Sequence, residues 1–72
     1  MNMSEKVRYS NKGWARKAMT ILLDKGVAFT TFYEYIGYGE HRIRLDYMDK
    51  NGEKREVWPI DEMIVDVIRC SI

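Results

Sequence analysis

The first sustained pattern of apolar and polar positions begins near Asn11. Trp14, Ala15, Ala18, Met19, Ile21 and Leu22 recur at three- and four-residue spacing, with Arg16, Lys17, Thr20 and Asp24 opposite them. That spacing predicts an amphipathic helix over about residues 11–25. Ser10 or Asn11 can cap its start by accepting from an unpaired first-turn amide, and Gly26 followed by Val27 fits a left-handed carboxy-terminal cap. Residues 1–9 lack this periodicity and are expected to form a flexible or loosely packed N-terminal segment.

Beyond Gly26 the period changes. "VAFTTFYEYIGYG" is dense in aromatic and β-branched residues and ends in a glycine turn, which predicts a strand. "HRIRLDYM" alternates, with Ile43, Leu45 and Tyr47 on one side and Arg42, Arg44 and Asp46 on the other, the pattern of a half-buried strand. "EKREVW" reads as a third strand. After Pro59, the residues Ile60, Met63, Ile64, Val67 and Ile68 return to a helical stripe, with Asp61 and Glu62 at its positive end and Arg69 at its negative end. The expectation is one α+β domain over 1–72, a helix, a three-stranded antiparallel meander and a second helix (α-β-β-β-α).

Turn geometry then predicts the sheet faces. If Asn51-Gly52 and Tyr38-Gly39 are each two-residue turns, Leu45 lies opposite both Trp58 and Phe32, Tyr33 opposite Arg44, and Tyr35 opposite Arg42. Phe32, Ile36, Ile43, Leu45, Tyr47 and Trp58 would face the helices. Tyr33, Tyr35, Arg42, Arg44, Met48, Arg55 and Val57 would form the other side. A four-residue loop preserves these faces, whereas a slip of one residue mixes them. A rival reading makes "TTFYEYIG" a helix and Tyr47–Trp58 the wing of a winged-helix DNA binder; it needs a recognition helix where the sequence alternates with period two.

Composition narrows the function classes. With 46% apolar residues and one proline the chain is rich enough in core-forming side chains to fold. One cysteine, Cys70, cannot form an internal disulfide, and no apolar run has the length of a membrane span, so a cytoplasmic, non-membrane setting is expected. The formal charge of +1 conceals an asymmetry: residues 1–28 carry net +4 and residues 29–72 carry net −3. Such polarity can steer a partner or favour a homodimer.

No motif for catalysis, nucleotide or metal stands out. His41 is the only histidine and Cys70 the only cysteine, so zinc lacks a ligand set; Asp61 and Glu62 suit a helix dipole, and the glycines of "GYGE" precede no helix. No enzyme activity and no cofactor is expected. Tyrosine and arginine are frequent binding anchors, which makes Tyr33, Tyr35, Arg42, Arg44, Met48 and Arg55 candidate contacts. Arg16 and Lys17 on the first helix are further candidates, since a basic helix beside aromatics can grip nucleic acid.

The stretch "RIRLDYMDKNGEKREVWPIDEM" resembles the hairpin of the WYL domains of bacterial regulators, a strand, an acidic-glycine turn and a strand ending in proline. The resemblance covers residues 42–63, and the tryptophan-tyrosine-leucine stretch that names the family is missing. The functional expectation is a small non-catalytic intracellular protein that docks on a larger protein and modulates or inhibits it, in the manner of a phage or mobile-element accessory regulator. The alternative is a nucleic-acid binder, gripping a single strand on the sheet face or duplex DNA as a winged helix.

Overall fold

The computed structural model describes residues 3–72, with side chains described from Lys12 onward apart from Glu40. Helix α1 spans Met3–Lys25, followed by strands β1 (Phe29–Gly37), β2 (Glu40–Met48) and β3 (Lys54–Val57) and by helix α2 (Glu62–Ser71). The strands form one antiparallel sheet in the order β1-β2-β3. The α-β-β-β-α order is the expected one. The segment 30–37 is strand rather than helix, and 40–48 is strand where a winged helix needs its recognition helix.

Helix α1 begins at Met3 rather than near residue 11, so Ser10 and Asn11 lie inside it and do not cap it. "MSEKVRYS" holds Met, Glu, Lys and Arg and no glycine or proline, so propensity carries the helix where amphipathic periodicity is absent. Of the segment 1–9 expected to be loose, residues 3–9 belong to this helix, and Met1 and Asn2 lie outside the described residues. Its far end closes as expected. Gly26 has φ +71°, its N–H donates to the Leu23 carbonyl at 3.0 Å, and the Val27 N–H donates to that of Leu22 at 2.9 Å. That pair of bonds satisfies carbonyls which the last turn leaves open.

Both helices cover one face of the sheet. Ala18 and Leu22 of α1, Leu45 and Tyr47 of β2, and Val65 and Ile68 of α2 form a single buried cluster, ringed by Trp14, Met19, Ile21, Val27, Phe29, Val57, Ile64 and Ile72. Asp61 caps α2, its Oδ1 accepting from the Ile64 N–H at 3.0 Å. With that start, Val65 and Ile68 turn inward, while Ile60, Met63 and Val67 of the expected stripe stay exposed. The end of α2 is tied to the β2–β3 loop by the Lys50 N–H donating to the Ser71 carbonyl at 2.8 Å, and to strand β2 by a 2.6 Å hydroxyl contact between Tyr47 and Ser71.

The register departs from the expected one at both turns, each time by a single residue. Tyr38 and Gly39 do form a two-residue turn, with φ +51° and +73° as a type I′ turn requires, and Gly37 pairs with Glu40. A bulge follows at once: Tyr35 pairs with His41, which leaves Ile36 without an opposite number. From there Tyr33 opposes Ile43, Thr31 opposes Leu45 and Phe32 opposes Arg44.

At the other hairpin the loop has three residues, Lys50 to Gly52, closed by the Asp49 N–H donating to the Glu53 carbonyl. The Gly52 N–H returns to the Asp49 carbonyl, and Gly52 has φ +79°, a turn ending in a left-handed glycine. Leu45 therefore opposes Val57, Tyr47 opposes Arg55, and Met48 opposes Lys54. Strand β2 faces as expected. Strands β1 and β3 are both turned over relative to it.

Candidate binding surface on the uncovered sheet face

Because the two flanking strands are inverted, the face away from the helices is not the expected tyrosine–arginine surface. Arg42, Arg44 and Met48 lie on it, as β2 dictates. Tyr33 and Tyr35 instead share the side of Ile43 and His41, and Arg55 shares the side of Tyr47. Trp58, expected in the core, follows β3 on the open face with Glu34 and Phe32. The physical reason is the odd residue in each connection, which reverses the side of every residue beyond it.

The open face is organised around Glu34. Its carboxylate accepts from the Trp58 indole Nε1, from Arg42 Nε and from Arg44 Nη1, each at 3.0 Å. Arg44 then forks onto Asp46, Nε to Oδ1 at 2.9 Å and Nη2 to Oδ2 at 3.1 Å. Each guanidinium also lies over a ring, Arg42 over Trp58 at 4.9 Å and Arg44 over Phe32 at 4.3 Å from the ring centroid. Lys54 reaches Asp46 at 3.5 Å and Glu56 at 3.9 Å. The result is a ladder of charges and rings running from β1 across β2 to β3.

These contacts set the protonation of the ladder. The Glu34 carboxyl is held below its ordinary value, first by the Trp58 indole donor and then by Arg42 and Arg44. Arg44 is raised, chiefly by its hydrogen bonds to Asp46. Asp46 is buried although no helix covers its face, because Arg44 and Lys54 close over it. Among the described side chains of this face, Arg42, Arg44 and Lys54 are matched by Glu34, Asp46 and Glu56, a formal balance of three against three.

The other candidate residues are dispersed. Tyr33 and Tyr35 are exposed on the helix side of β1, beyond the reach of the core cluster, and Tyr35 meets His41 edge to face at 5.5 Å. Arg55 Nε donates to Asp49 Oδ2 at 2.7 Å, which makes it a brace of the hairpin loop. Asp49 also accepts from the Asn51 and Glu53 N–H groups at 2.8 and 2.9 Å; the Glu53 amide, then Arg55, hold its carboxyl below the ordinary range. Arg16 and Lys17 are exposed on α1, and the Lys17 ammonium lies 4.7 Å from the centroid of the Trp14 ring.

Glu34 and Asp46 are not among the contacts expected from the sequence, and Phe32 and Trp58 are expected there in the core rather than on this face. The available signal was that Glu34 is the only charged residue in "FTTFYEYIG". A lone carboxylate in an aromatic strand marks a partner nearby, and the arginines of β2 are the nearest.

A shallow groove of about 460 Å³ lies between the hairpin loop and α2, lined in part by Met63, Val67, Cys70, Lys50 and Arg55. Among the described residues no group of three or more His, Cys, Asp or Glu side chains is placed to hold a metal ion, and no helix is long and apolar enough to cross a membrane. No family model matches the chain, and neither a curated protein nor a solved structure is significantly similar to it.

Proposed function

We propose that this is a small non-catalytic binding protein that docks on a larger protein in the cytoplasm through its uncovered sheet face, and so modulates or inhibits that partner. The observation that carries the reading is the Glu34-centred ladder of Arg42, Arg44 and Trp58. Arginine and tryptophan dominate the energetics of protein interfaces. Here their rotamers are already fixed by ion pairs and ring stacking, so a partner would order little that is not ordered beforehand. Phe32, Met48 and the rim of Trp58 supply exposed apolar area on the same face.

The charge balance of the face supports a protein partner over a polyanion. Nucleic-acid affinity rests on cations free to displace counterions, and here Arg42, Arg44 and Lys54 each contact a carboxylate. The nucleic-acid reading therefore moves to α1, where Lys12, Arg16 and Lys17 are exposed.

The test compares the wild-type chain with Arg42→Ala and with Phe32→Ser, first in affinity capture from nuclease-treated lysate at raised salt and then in titration with a mixed-sequence single-stranded oligonucleotide. The expected result is one partner protein retained by the wild type and lost by both variants, with folding unchanged by circular dichroism. Retention indifferent to both substitutions would overturn the assignment of the face. Oligonucleotide binding that falls steeply with salt would replace the protein-docking reading.

A further inference from the structure

The two edges of the sheet are unlike. Strand β3 has four residues, of which Lys54, Arg55 and Glu56 are charged, and it runs into Pro59. Short length, charge and proline are the devices that keep an edge from pairing with another chain. Strand β1 has nine residues, one charge and no proline or lysine, and Phe32, Tyr33 and Tyr35 on it are exposed. Among the described residues it pairs with β2 alone, and α1 packs chiefly over β2 and against α2, so its outer row of N–H and C=O groups faces away from the sheet.

We infer that β1 is a homodimer edge, pairing antiparallel with β1 of a second copy to give one six-stranded sheet. The occupant is argued from the strand's own sequence. Its regular stretch before the bulge, Phe29 to Tyr35, is centred on Phe32. A two-fold axis there sets Phe32 beside the second copy's Phe32, Tyr33 beside its Thr31, Glu34 beside its Thr30 and Tyr35 beside its Phe29. Every cross-strand pair is then aromatic with aromatic, aromatic with threonine, or carboxylate with threonine, and no like charges meet.

An edge strand wants an extended backbone, and this one finds in itself a partner of matching length and side-chain pattern. The near-neutral formal charge of +1 offers little repulsion between copies. The dimer would leave both helix layers on one side and join the two open faces on the other. This inference does not depend on the partner-docking reading.

Sedimentation of the wild-type chain between about 1 μM and about 1 mM is expected to show its 8.6 kDa mass doubling with concentration. A chain that stays monomeric throughout overturns the proposal. Thr31→Lys combined with Tyr33→Lys sets ammonium groups opposite one another across the pair and should raise the half-association concentration by about tenfold or more. An unchanged dimer in that variant, folded by circular dichroism, also overturns it.

Should the lysines unfold the chain, cross-linking decides. In a Cys70→Ser background, Phe32→Cys should give disulfide-linked dimers under mild oxidation, since directly opposed residues lie within disulfide reach. Met48→Cys, on the open face but at the far end of the neighbouring strand β2, should not. Equal cross-linking through both positions places the contact elsewhere and overturns the β1 pairing.

Discussion

The Trp58 indole N–H donates to Glu34 Oε2 at 3.0 Å across the full width of the sheet, for Trp58 follows β3, Glu34 lies on β1, and β2 runs between them. Glu34 titrates below its ordinary value because this donor and then Arg42 and Arg44 favour its charged form. A carboxyl depressed by folding contributes stability that is present above the unfolded pKa and is lost as pH falls through the folded one. Melting temperature should therefore decline between about pH 5 and about pH 2, with Asp49 contributing in the same direction. In Glu34→Gln part of that decline should vanish, because the group that titrates is gone. Thermal melts of both chains across this range would show it, and identical pH slopes would contradict the role given to Glu34.

Two glycines should respond in opposite directions to alanine. Gly52 has φ +79° in the hairpin loop with open space around it, so the whole penalty of Gly52→Ala is backbone strain of about 1–2 kcal/mol. Gly13 lies inside α1 without positive φ, and a Cβ there meets nothing within 4 Å. Gly13→Ala should stabilise by about 0.5–1 kcal/mol. Urea midpoints of the two variants, measured side by side, give both signs in one experiment.

The hydroxyl contact between Tyr47 and Ser71 ties the middle of the sheet to the end of α2 at 2.6 Å. Tyr47→Phe keeps the buried ring and removes only that bond, for an expected loss of about 0.5–1.5 kcal/mol. Ser71 Oγ keeps its bond to the Ile68 carbonyl, which holds the loss to the lower part of that range. Equilibrium unfolding by tyrosine-independent circular dichroism would measure it.

Leu45 is fully buried between the two helices and the sheet. Leu45→Ala should cost about 2–5 kcal/mol, most of the stability available to a chain of this size. Loss of a cooperative melting transition in that variant would agree, and a melt within a few degrees of wild type would place the core elsewhere.

The sequence made the elements legible because each is encoded within itself. The alternation of Ile43, Leu45 and Tyr47 and the spacing of Ala15, Ala18 and Leu22 each declare a buried side without reference to any other segment, and Gly26 stops its helix by its own φ. Pairing between strands is not encoded that way. It depends on how many residues each connection holds, and "IGYGE" and "DKNGE" are both compatible with even and odd counts.

Ile36 at one hairpin and Lys50 at the other play the same part. Each adds one residue beside a glycine turn that the sequence does announce. The faces of β1 and β3 follow from that added residue. Arg42 and Arg44 lie on the expected side because they belong to β2, whereas Tyr33, Tyr35, Arg55 and Trp58 lie on the side opposite to the expected one because they are reached only through a turn.

The same parity bears on how the gene can change. A single-codon deletion or insertion between Lys50 and Gly52 would rotate Glu56 and Trp58 toward the helices and push Val57 outward, which the core cannot accept. A two-codon insertion restores the sides and lengthens only a solvated tip. Length variation in this hairpin should therefore arise in steps of two residues, and a library of loop insertions would sort into folded and unfolded members by odd and even number.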